Sequence, residues 1–154
     1  KARKKVARVH TRIADRRRDF LHKLTTALIN ENQVICAESL KVKNMVKNPV
    51  LSKAISDVGW GELIRQLDYK AKWYGRTFVQ IDTFFPSTKT CRVCDHVLDV
   101  LPLTVRTWTC PECDTEHDRD INAAKNILAE GLSVFACGET VRPAKAFAAV
   151  GASL

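Results

Sequence analysis

Four of the six cysteines form two Cys-x2-Cys pairs, and this spacing constrains the fold more than any other feature of the sequence. Cys91 and Cys94 form the first pair, and Cys110 and Cys113 form the second after fifteen intervening residues. Each pair can form a tight turn that directs both sulfurs toward one ion, and four thiolates complete the tetrahedral shell of a structural zinc site. Because no coordination position stays open for substrate or water, we expect this zinc to fold the segment rather than to act in catalysis.

Two other interpretations of the paired cysteines remain open. Iron can occupy the same four-thiolate shell, and a Cys-x2-Cys pair can also be a redox centre. His96 and His117 flank the pairs and could replace a cysteine ligand, although four cysteines make a replacement unnecessary. The other two cysteines, Cys36 and Cys137, are expected to be a buried thiol and a tail residue.

The positive charge of the chain is concentrated in its first 25 residues. The 154 residues include 25 Lys and Arg against 17 Asp and Glu, which gives a net charge of +8. Residues 1–25 contain ten basic and two acidic residues, so the rest of the chain is balanced at 15 against 15. Such an excess is typical of a polyanion-binding element, whereas the alternative is a solvated helix face. The residues expected to contact nucleic acid are Lys4, Lys5, Arg16, Arg17 and Arg18.

The amino-terminal segment is predicted to form one long helix over residues 2–29, because it contains neither Gly nor Pro. Its apolar residues approximate one stripe, interrupted by three consecutive arginines. The stripe consists of Val6, Val9, Ile13, Phe20, Leu24 and Leu28.

The remaining pattern predicts a mixed α/β chain. Residues 34–37 and 77–81 are expected to be strands, and the continuous apolar run 34–37 indicates a strand buried on both faces. A second helix is predicted over 53–74 and a third over 121–130, ended by Gly131. We detect no internal repeat in the sequence.

Acidic residues at two places could bind a catalytic metal. Glu38 lies at the carboxyl end of the first predicted strand, and Asp118 and Asp120 lie at the start of the third predicted helix. Each has an ordinary alternative role, since Glu38 could face water and the aspartates could cap the helix. Taken together in a basic chain, these acids suit two-metal phosphodiester cleavage, which requires several carboxylates around the ions. Two acids are few for two Mg²⁺ ions, so we expect a third, which nothing before residue 15 supplies.

Five segments of the sequence carry a resemblance to known proteins. They are VARVHTRIADRRRDFLHKLTTALI, VICAESLKVKNMVKN, ISDVGWGELIRQLDYKAKWYGR, PSTKTCRVCDHV and TWTCPECDTEHDRDINAAKNIL. The most specific part is a CPxC knuckle followed by HDRDxNAAxNI. These segments resemble the carboxyl-terminal half of the TnpB (OrfB) family of transposon-encoded proteins, relatives of the type V CRISPR effector nucleases. The resemblance runs from Lys1 to at least Leu132, and the segment CGETVRP extends it to Pro143.

The resemblance implies an α/β fold consisting of an incomplete RNase H-like (RuvC) nuclease domain with an inserted four-cysteine zinc ribbon. Residues 1–83 and 118–132 would form the two parts of the nuclease domain, and residues 84–117 the zinc ribbon. Residues 133–154 would form a carboxyl-terminal tail.

The resemblance also implies the positions of the catalytic acids. The family has three, and the second falls on Glu38 and the third on Asp120, with Asp118 as the less favoured candidate. The first has no counterpart, because its strand would precede Lys1. The chain starts without an initiator methionine, so we expect it to be a piece of a longer protein and inactive by itself.

The function expected from the resemblance is Mg²⁺-dependent DNA cleavage directed by a guide RNA, with DNA and RNA as partners and zinc as a structural cofactor. Glu38 and Asp120 would share the magnesium ions, with their carboxyl groups within roughly 4 to 8 Å of each other. The alternative is a non-catalytic nucleic-acid-binding zinc-ribbon module of a transposition accessory protein. No apolar run approaches the ~18 to 20 residues of a membrane span, so a cytoplasmic protein, nucleoid-associated at most, is expected.

Overall fold

The computed structural model describes residues 1–50 and 52–137, which form two compact units. The first unit is Lys1–Phe85 and the second begins at Pro86. Most of the predicted tail, together with the CGETVRP segment after Cys137, lies outside the described residues.

Helix α1 spans Ala2–Glu31 and confirms the predicted long helix. The apolar stripe is not the buried face of this helix, because its members from Val6 to Leu24 are exposed. The buried residues are instead Leu21, Thr25 and Ile29, which lie four residues apart and therefore on one face of the helix. This face packs against the helix formed by Trp60–Trp73, so burial is confined to the last third of α1. Among the helices of the described residues, none is long and apolar enough to cross a bilayer.

A parallel pair of strands joined through helices completes the first unit. Strand β1 (Val34–Glu38) pairs with β2 (Thr77–Ile81) in the register Val34↔Thr77 to Glu38↔Ile81, which confirms both predicted strands. The expectation that the first strand is buried on both faces is wrong, because every residue of β1 is half-buried. Within the described residues, β2 is its single strand neighbour. The elements in chain order are β1 (Val34–Glu38), α2 (Val42–Met45), α3 (Ser52–Val58), α4 (Trp60–Trp73) and β2 (Thr77–Ile81).

The predicted helix over residues 53–74 is two helices, α3 and α4, separated at Gly59. Gly59 has φ +66°, a left-handed conformation that L side chains rarely adopt. A Cβ atom at this position would also lie 3.3 Å from Leu21 Cδ1 of α1. Both the backbone conformation and the contact with α1 therefore favour glycine where the chain turns into α4.

Helices α1 and α4 pack around a small apolar core. Its fully enclosed members are Ile29, Leu67 and Ala71. The half-buried residues around them come from both helices and both strands: Leu28, Ile35, Leu63 and Phe78.

A buried polar network joins the same two helices beside the core. Lys70 Nζ of α4 donates to the carbonyl oxygen of His22 at 2.8 Å and to the hydroxyls of Thr25 and Thr26 at 2.8 and 2.7 Å. Thr25 Oγ1 also lies 2.9 Å from Gln66 Oε1. Desolvation lowers the pKa of Lys70, but the three acceptors match the three N–H donors of its ammonium group. The network therefore fixes how α4 sits along α1.

The second unit contains a short hairpin followed by a helix. Strands β3 (Thr107–Thr109) and β4 (Glu116–Asp118) are antiparallel, and helix α5 (Arg119–Ala136) follows at once. The predicted end of this helix at Gly131 is wrong, since Gly131 is buried inside α5. An interior glycine costs only about 1 kcal/mol relative to alanine, and no proline follows before Cys137, so the helix continues.

Candidate metal centre and neighbouring acids

Two turns of the same geometry present the four paired cysteines. In the first turn, the carbonyl oxygen of Cys91 accepts from the amide of Asp95 at 3.0 Å, and in the second Cys110 accepts from Asp114 at 3.0 Å. Asp95 and Asp114 have φ values of 59° and 54°. Aspartate is among the few residues that tolerate this left-handed conformation, which closes each turn directly after its second cysteine.

The two turns are a short internal repeat, which corrects the expectation that the sequence has none. Residues 90–95 read TCRVCD and residues 109–114 read TCPECD. The equivalence continues beyond the turns, because Thr90 pairs with Val97 and Thr109 pairs with Glu116, both antiparallel.

The distances between the sulfur atoms fit one tetrahedral ion. Cys91 Sγ lies 3.6 Å from Cys113 Sγ, and Cys94 Sγ lies 3.6 Å from Cys110 Sγ. All four sulfurs lie within 4.8 Å of one another. Four ligands at a Zn–S distance of ~2.3 Å would be about 3.8 Å apart in a tetrahedron. The structure thus brings together the four predicted cysteines in a cluster compatible with a structural metal such as zinc.

The thiols of this cluster differ in their surroundings. Cys91 and Cys110 are fully buried, whereas Cys94 is exposed. Hydrogen bonds with the hydroxyl and the backbone of Thr115 lower the pKa of Cys113 to about 6, which favours the thiolate that binds metal. The backbone of His96 lowers the pKa of Cys94, but desolvation and the other three cysteines raise it to about 12. The Cys94 thiol thus retains its proton unless a cation balances the charge of the clustered sulfurs.

His117 lies directly against this four-cysteine cluster. Its Nε2 atom is 3.1 Å from Cys91 Sγ, and its ring packs 4.8 Å from the ring of Trp108. Both residues are buried, and Trp108 forms the core of the second unit together with Cys91 and Cys110. The four sulfurs form a complete ligand set without His117, so its position suits a hydrogen bond to a ligand.

The two aspartates at the start of α5 have different roles. Asp118 is the N-cap, and its Oδ1 accepts from the amides of Asp120 and Ile121 at 3.0 and 2.9 Å. The Asp120 side chain is 64% exposed, and its two oxygens lie 3.2 Å from guanidinium nitrogens of Arg106 and Arg119. The capping alternative is therefore correct for Asp118 and wrong for Asp120, whose carboxylate faces solvent.

Glu38 ends β1 and is half-buried at the carboxyl edge of the parallel pair. Its register partner is Ile81, so Asp82 follows at the same edge of the neighbouring strand. Sequence reasoning did not single out Asp82, although its place directly after the second predicted strand was the available signal. Glu38 belongs to the first unit and Asp120 to the second. The shared magnesium site of these two residues stays a prediction.

The basic residues of α1 lie on an exposed helix surface. Arg17 forms an ion pair with Asp57 of α3 at 2.9 Å, and Arg18 lies 3.8 Å from Asp15. These pairs neutralise part of the local charge, but all partners remain accessible to solvent. The other basic residues predicted to contact nucleic acid, all exposed, are Lys4, Lys5 and Arg16.

Two buried asparagines were missed by sequence reasoning. Asn122 and Asn126 of α5 are 2% and 4% exposed, and their side chains bond to the first cysteine turn. Polar residues four positions apart on an otherwise alanine-rich helix were the signal that could have found them.

Two family models match different parts of the chain. The OrfB/IS605 model, described as "Probable transposase", matches residues 1–49, which include Glu38. The model described as "Cas12f1-like, TNB domain" matches residues 60–127, which include the four paired cysteines and Asp120.

Curated proteins of bacteria and of a virus are similar to the chain. A Streptomyces pristinaespiralis protein named "Putative RNA-guided DNA endonuclease" is 56% identical over 153 residues, which are 99% of this chain and 38% of that protein. The Escherichia coli K12 protein of the same name, InsQ, is 36% identical over 92% of this chain and 39% of its own length. The TnpB-like protein L79 of Acanthamoeba polyphaga mimivirus is 30% identical over 80% of this chain and 24% of its own length. The chain thus spans about two fifths of the first two relatives.

Proposed function

Because this chain belongs to the TnpB (OrfB) family of transposon-encoded proteins, we propose that it is part of an RNA-guided DNA endonuclease. In this proposal, residues 1–83 and 118–132 contribute to a RuvC-like nuclease domain, residues 84–117 form its zinc ribbon, and residues 133–154 are a tail. In this proposal the first of the family's three catalytic acids has no counterpart among the 154 residues, which would therefore not cut DNA by themselves.

The observation that carries the proposal is that Asp118 and Asp120 have different roles at the start of α5. Asp118 accepts from the first amides of α5, whereas Asp120 does not cap the helix. The carboxylate of Asp120 is 64% exposed and pairs with the guanidinium groups of Arg106 and Arg119. Asp120 also lies in the first turn of α5, where the helix start favours a negatively charged group. These features suit an acid that binds a metal, and they support Asp120 over Asp118.

The position of Glu38 supports the second half of the proposed site. Ligand sites of open α/β sheets gather at the carboxyl ends of parallel strands, where Glu38 lies. Glu38 and Asp120 would bind Mg²⁺ through their oxygens. Bound magnesium supplies positive charge that activates water and stabilises the charge developing on a phosphodiester.

The four-cysteine cluster supports a structural zinc ion in the proposed ribbon. The sulfur separations fit a tetrahedral ion, and all four ligand positions are filled by protein. Zinc would therefore take no part in the cleavage chemistry, and its binding free energy would contribute to folding.

The exposed basic surface of α1 supports guide RNA and DNA as partners. If about six basic side chains contact phosphates, binding should weaken by ~10³-fold between 50 and 200 mM salt. Replacing Arg16, Arg17 and Arg18 with Gln should reduce the slope of log affinity against log salt by about three. A titration of the variant with labelled nucleic acid at several salt concentrations checks this, and an unchanged affinity and slope would mean that α1 is a solvated face.

Cleavage by a protein extended at its amino terminus to the length of the relatives tests the nuclease proposal. With its guide RNA and Mg²⁺, Glu38→Gln and Asp120→Asn should each abolish cutting, whereas Asp118→Asn should cut because asparagine is also a good N-cap. Glu116→Gln in β4 and Glu31→Gln at the end of α1 are matched controls, since both carboxylates are exposed.

The same experiment separates the nuclease from the alternative function, a nucleic-acid-binding module without cleavage chemistry. Cutting that survives both Glu38→Gln and Asp120→Asn would contradict the proposed site. Metal-independent binding with no cutting in any variant, including the unaltered protein, would favour the binding module.

A further inference from the structure

The side chains of two asparagines fasten helix α5 to the first cysteine turn. Asn122 Oδ1 accepts from the amide of Arg92 at 3.1 Å, and its Nδ2 donates to the carbonyl oxygen of Thr90 at 2.8 Å. Asn126 Nδ2 donates to the same carbonyl at 2.7 Å and to that of Ser87 at 2.8 Å. Both asparagines are almost fully buried, so these four bonds form away from competing water.

These bonds are directed at the backbone on both sides of a metal ligand. Thr90 and Arg92 are the neighbours of Cys91, so the conformation of the first turn decides whether Asn122 can reach both. On the other side, His117 touches Cys91 Sγ at 3.1 Å and immediately precedes the N-cap Asp118. The first turn of α5 is thus held to Cys91 from both of its ends.

We infer that Asn122 and Asn126 are positioning residues that couple metal binding at the four cysteines to the order of the first turn of α5. Metal binding fixes the turn that contains Cys91, and the asparagines transmit that order to the helix that carries Asp120. The consequence for catalysis rests on the role proposed above for Asp120, whereas the coupling itself concerns folding and metal affinity.

Because of thermodynamic linkage, the inference can be tested by replacing residues that do not themselves bind metal and measuring zinc affinity. If the metal stabilises the attachment of α5, then that attachment must strengthen metal binding by the same factor. Asn122→Ala and Asn126→Ala should each weaken zinc binding by about tenfold, because each removes two hydrogen bonds from a buried site. Alanine has the higher helix propensity, so a purely helical role would leave affinity unchanged and make α5 more stable.

The experiment measures zinc affinity of the 154-residue chain by competition with a chromogenic chelator, and cobalt affinity by the thiolate absorption bands. Lys125→Ala is the matched control, because Lys125 is exposed on the same helix between the two asparagines. A loss of about tenfold in both asparagine variants, with Lys125→Ala unchanged, is the expected result. Equal affinities in all three variants would overturn the coupling.

A second measurement on the unaltered chain applies even if an asparagine variant does not fold. The amides of Asp120 and Ile121, which donate to Asp118, should lose their protection from hydrogen exchange when zinc is chelated. Persistent protection at these amides in the metal-free chain would contradict the inference. Neither measurement uses DNA cutting, so the coupling and the nuclease proposal can fail independently.

Discussion

The two units of this chain are stabilised in different ways. In the first, α1 and α4 enclose Ile29, Leu67 and Ala71 and are joined by the buried network around Lys70. In the second, the core cluster consists of Cys91, Trp108 and Cys110, so two of its three buried members are candidate metal ligands. The first unit therefore has a hydrophobic core that needs no cofactor, whereas the core of the second is the proposed metal site itself.

This difference shows how a short segment can carry a precise site without a large core. Strands β3 and β4 have three residues each, which is too little sheet for independent stability. Structural zinc supplies ~10 to 16 kcal/mol of apparent binding free energy in small zinc domains, which compensates for the missing apolar burial. We therefore expect the second unit to depend on metal. We expect the same of α5, because its asparagines bond to the first cysteine turn.

Removing one cysteine of the proposed metal site should have the largest effect on folding and should distinguish the two units most clearly. Cys110→Ser should leave the second unit unfolded, because it removes a buried ligand of the proposed metal site. The other three thiolates would then lack a tightly bound cation to balance their charge. The first unit should keep its helical circular dichroism. Metal analysis together with near-ultraviolet dichroism of Trp108 checks this, and Cys137→Ser, an exposed thiol of the same unit, is the control.

A cavity in the other core should have a smaller effect, confined to the first unit. Ile29→Ala removes a fully buried side chain and should lower the free energy of unfolding of that unit by ~2 to 5 kcal/mol. Ile13→Ala on the exposed part of α1 should change it by less than about 0.5 kcal/mol. Urea unfolding followed by helical dichroism measures both. Loss of bound metal in Ile29→Ala would mean that the two cores are not independent.

Removing the cap of α5 should cost less again and act on the second unit. Asp118→Ala deprives the amides of Asp120 and Ile121 of their acceptor and should destabilise the unit by ~1 kcal/mol. Asp118→Asn should retain most of that stability. Thermal unfolding of the metal-bound protein compares the two variants, and an equal loss in both would mean that charge rather than capping is the contribution of Asp118.

Acid should produce the smallest change, in the first unit. Arg65 donates two 2.7 Å hydrogen bonds to Glu62 and thereby lowers the pKa of that carboxyl to about 2. Because the pKa of Glu62 is depressed in the folded state, its stabilising contribution is present above pH ~4.5 and is lost as the pH falls toward 2. Both side chains are partly exposed, so the contribution should stay below about 1 kcal/mol. Comparing the pH dependence of urea unfolding in Glu62→Gln and the unaltered chain tests this.

Local patterns in the sequence predict some parts of this structure well. The absence of Gly and Pro predicts α1, the two apolar runs predict β1 and β2, and the cysteine spacing predicts the cluster, because each is decided by neighbouring residues. The face of α1 that is buried could not be predicted, since it depends on where α4 packs. The same limitation applies to Gly59, whose left-handed conformation divides the predicted second helix.

The candidate site shows the same division between local and long-range information. The sequence pointed to both Asp118 and Asp120, but which of them caps α5 depends on one hydrogen-bond geometry. The sequence could not show that Asn122 and Asn126 attach α5 to the first cysteine turn, because their hydrogen-bond partners lie about 30 to 40 residues earlier in the chain. Helix α5 extends past Gly131, because a glycine ends a helix only where its backbone adopts the left-handed conformation. The presence of glycine in the sequence does not decide that conformation.

Amide hydrogen exchange of the 154-residue chain, measured residue by residue with zinc bound and after chelation, would show whether only the second unit depends on metal. Chelation should remove protection from the amides of Cys91, Cys110 and the first turn of α5. The amides of α4 and β2 should keep theirs, because the first core contains no metal ligand. Simultaneous loss of protection in both units would contradict the independence of the first core from metal. Undiminished protection of the cysteine turns without metal would contradict the dependence of the second unit on metal.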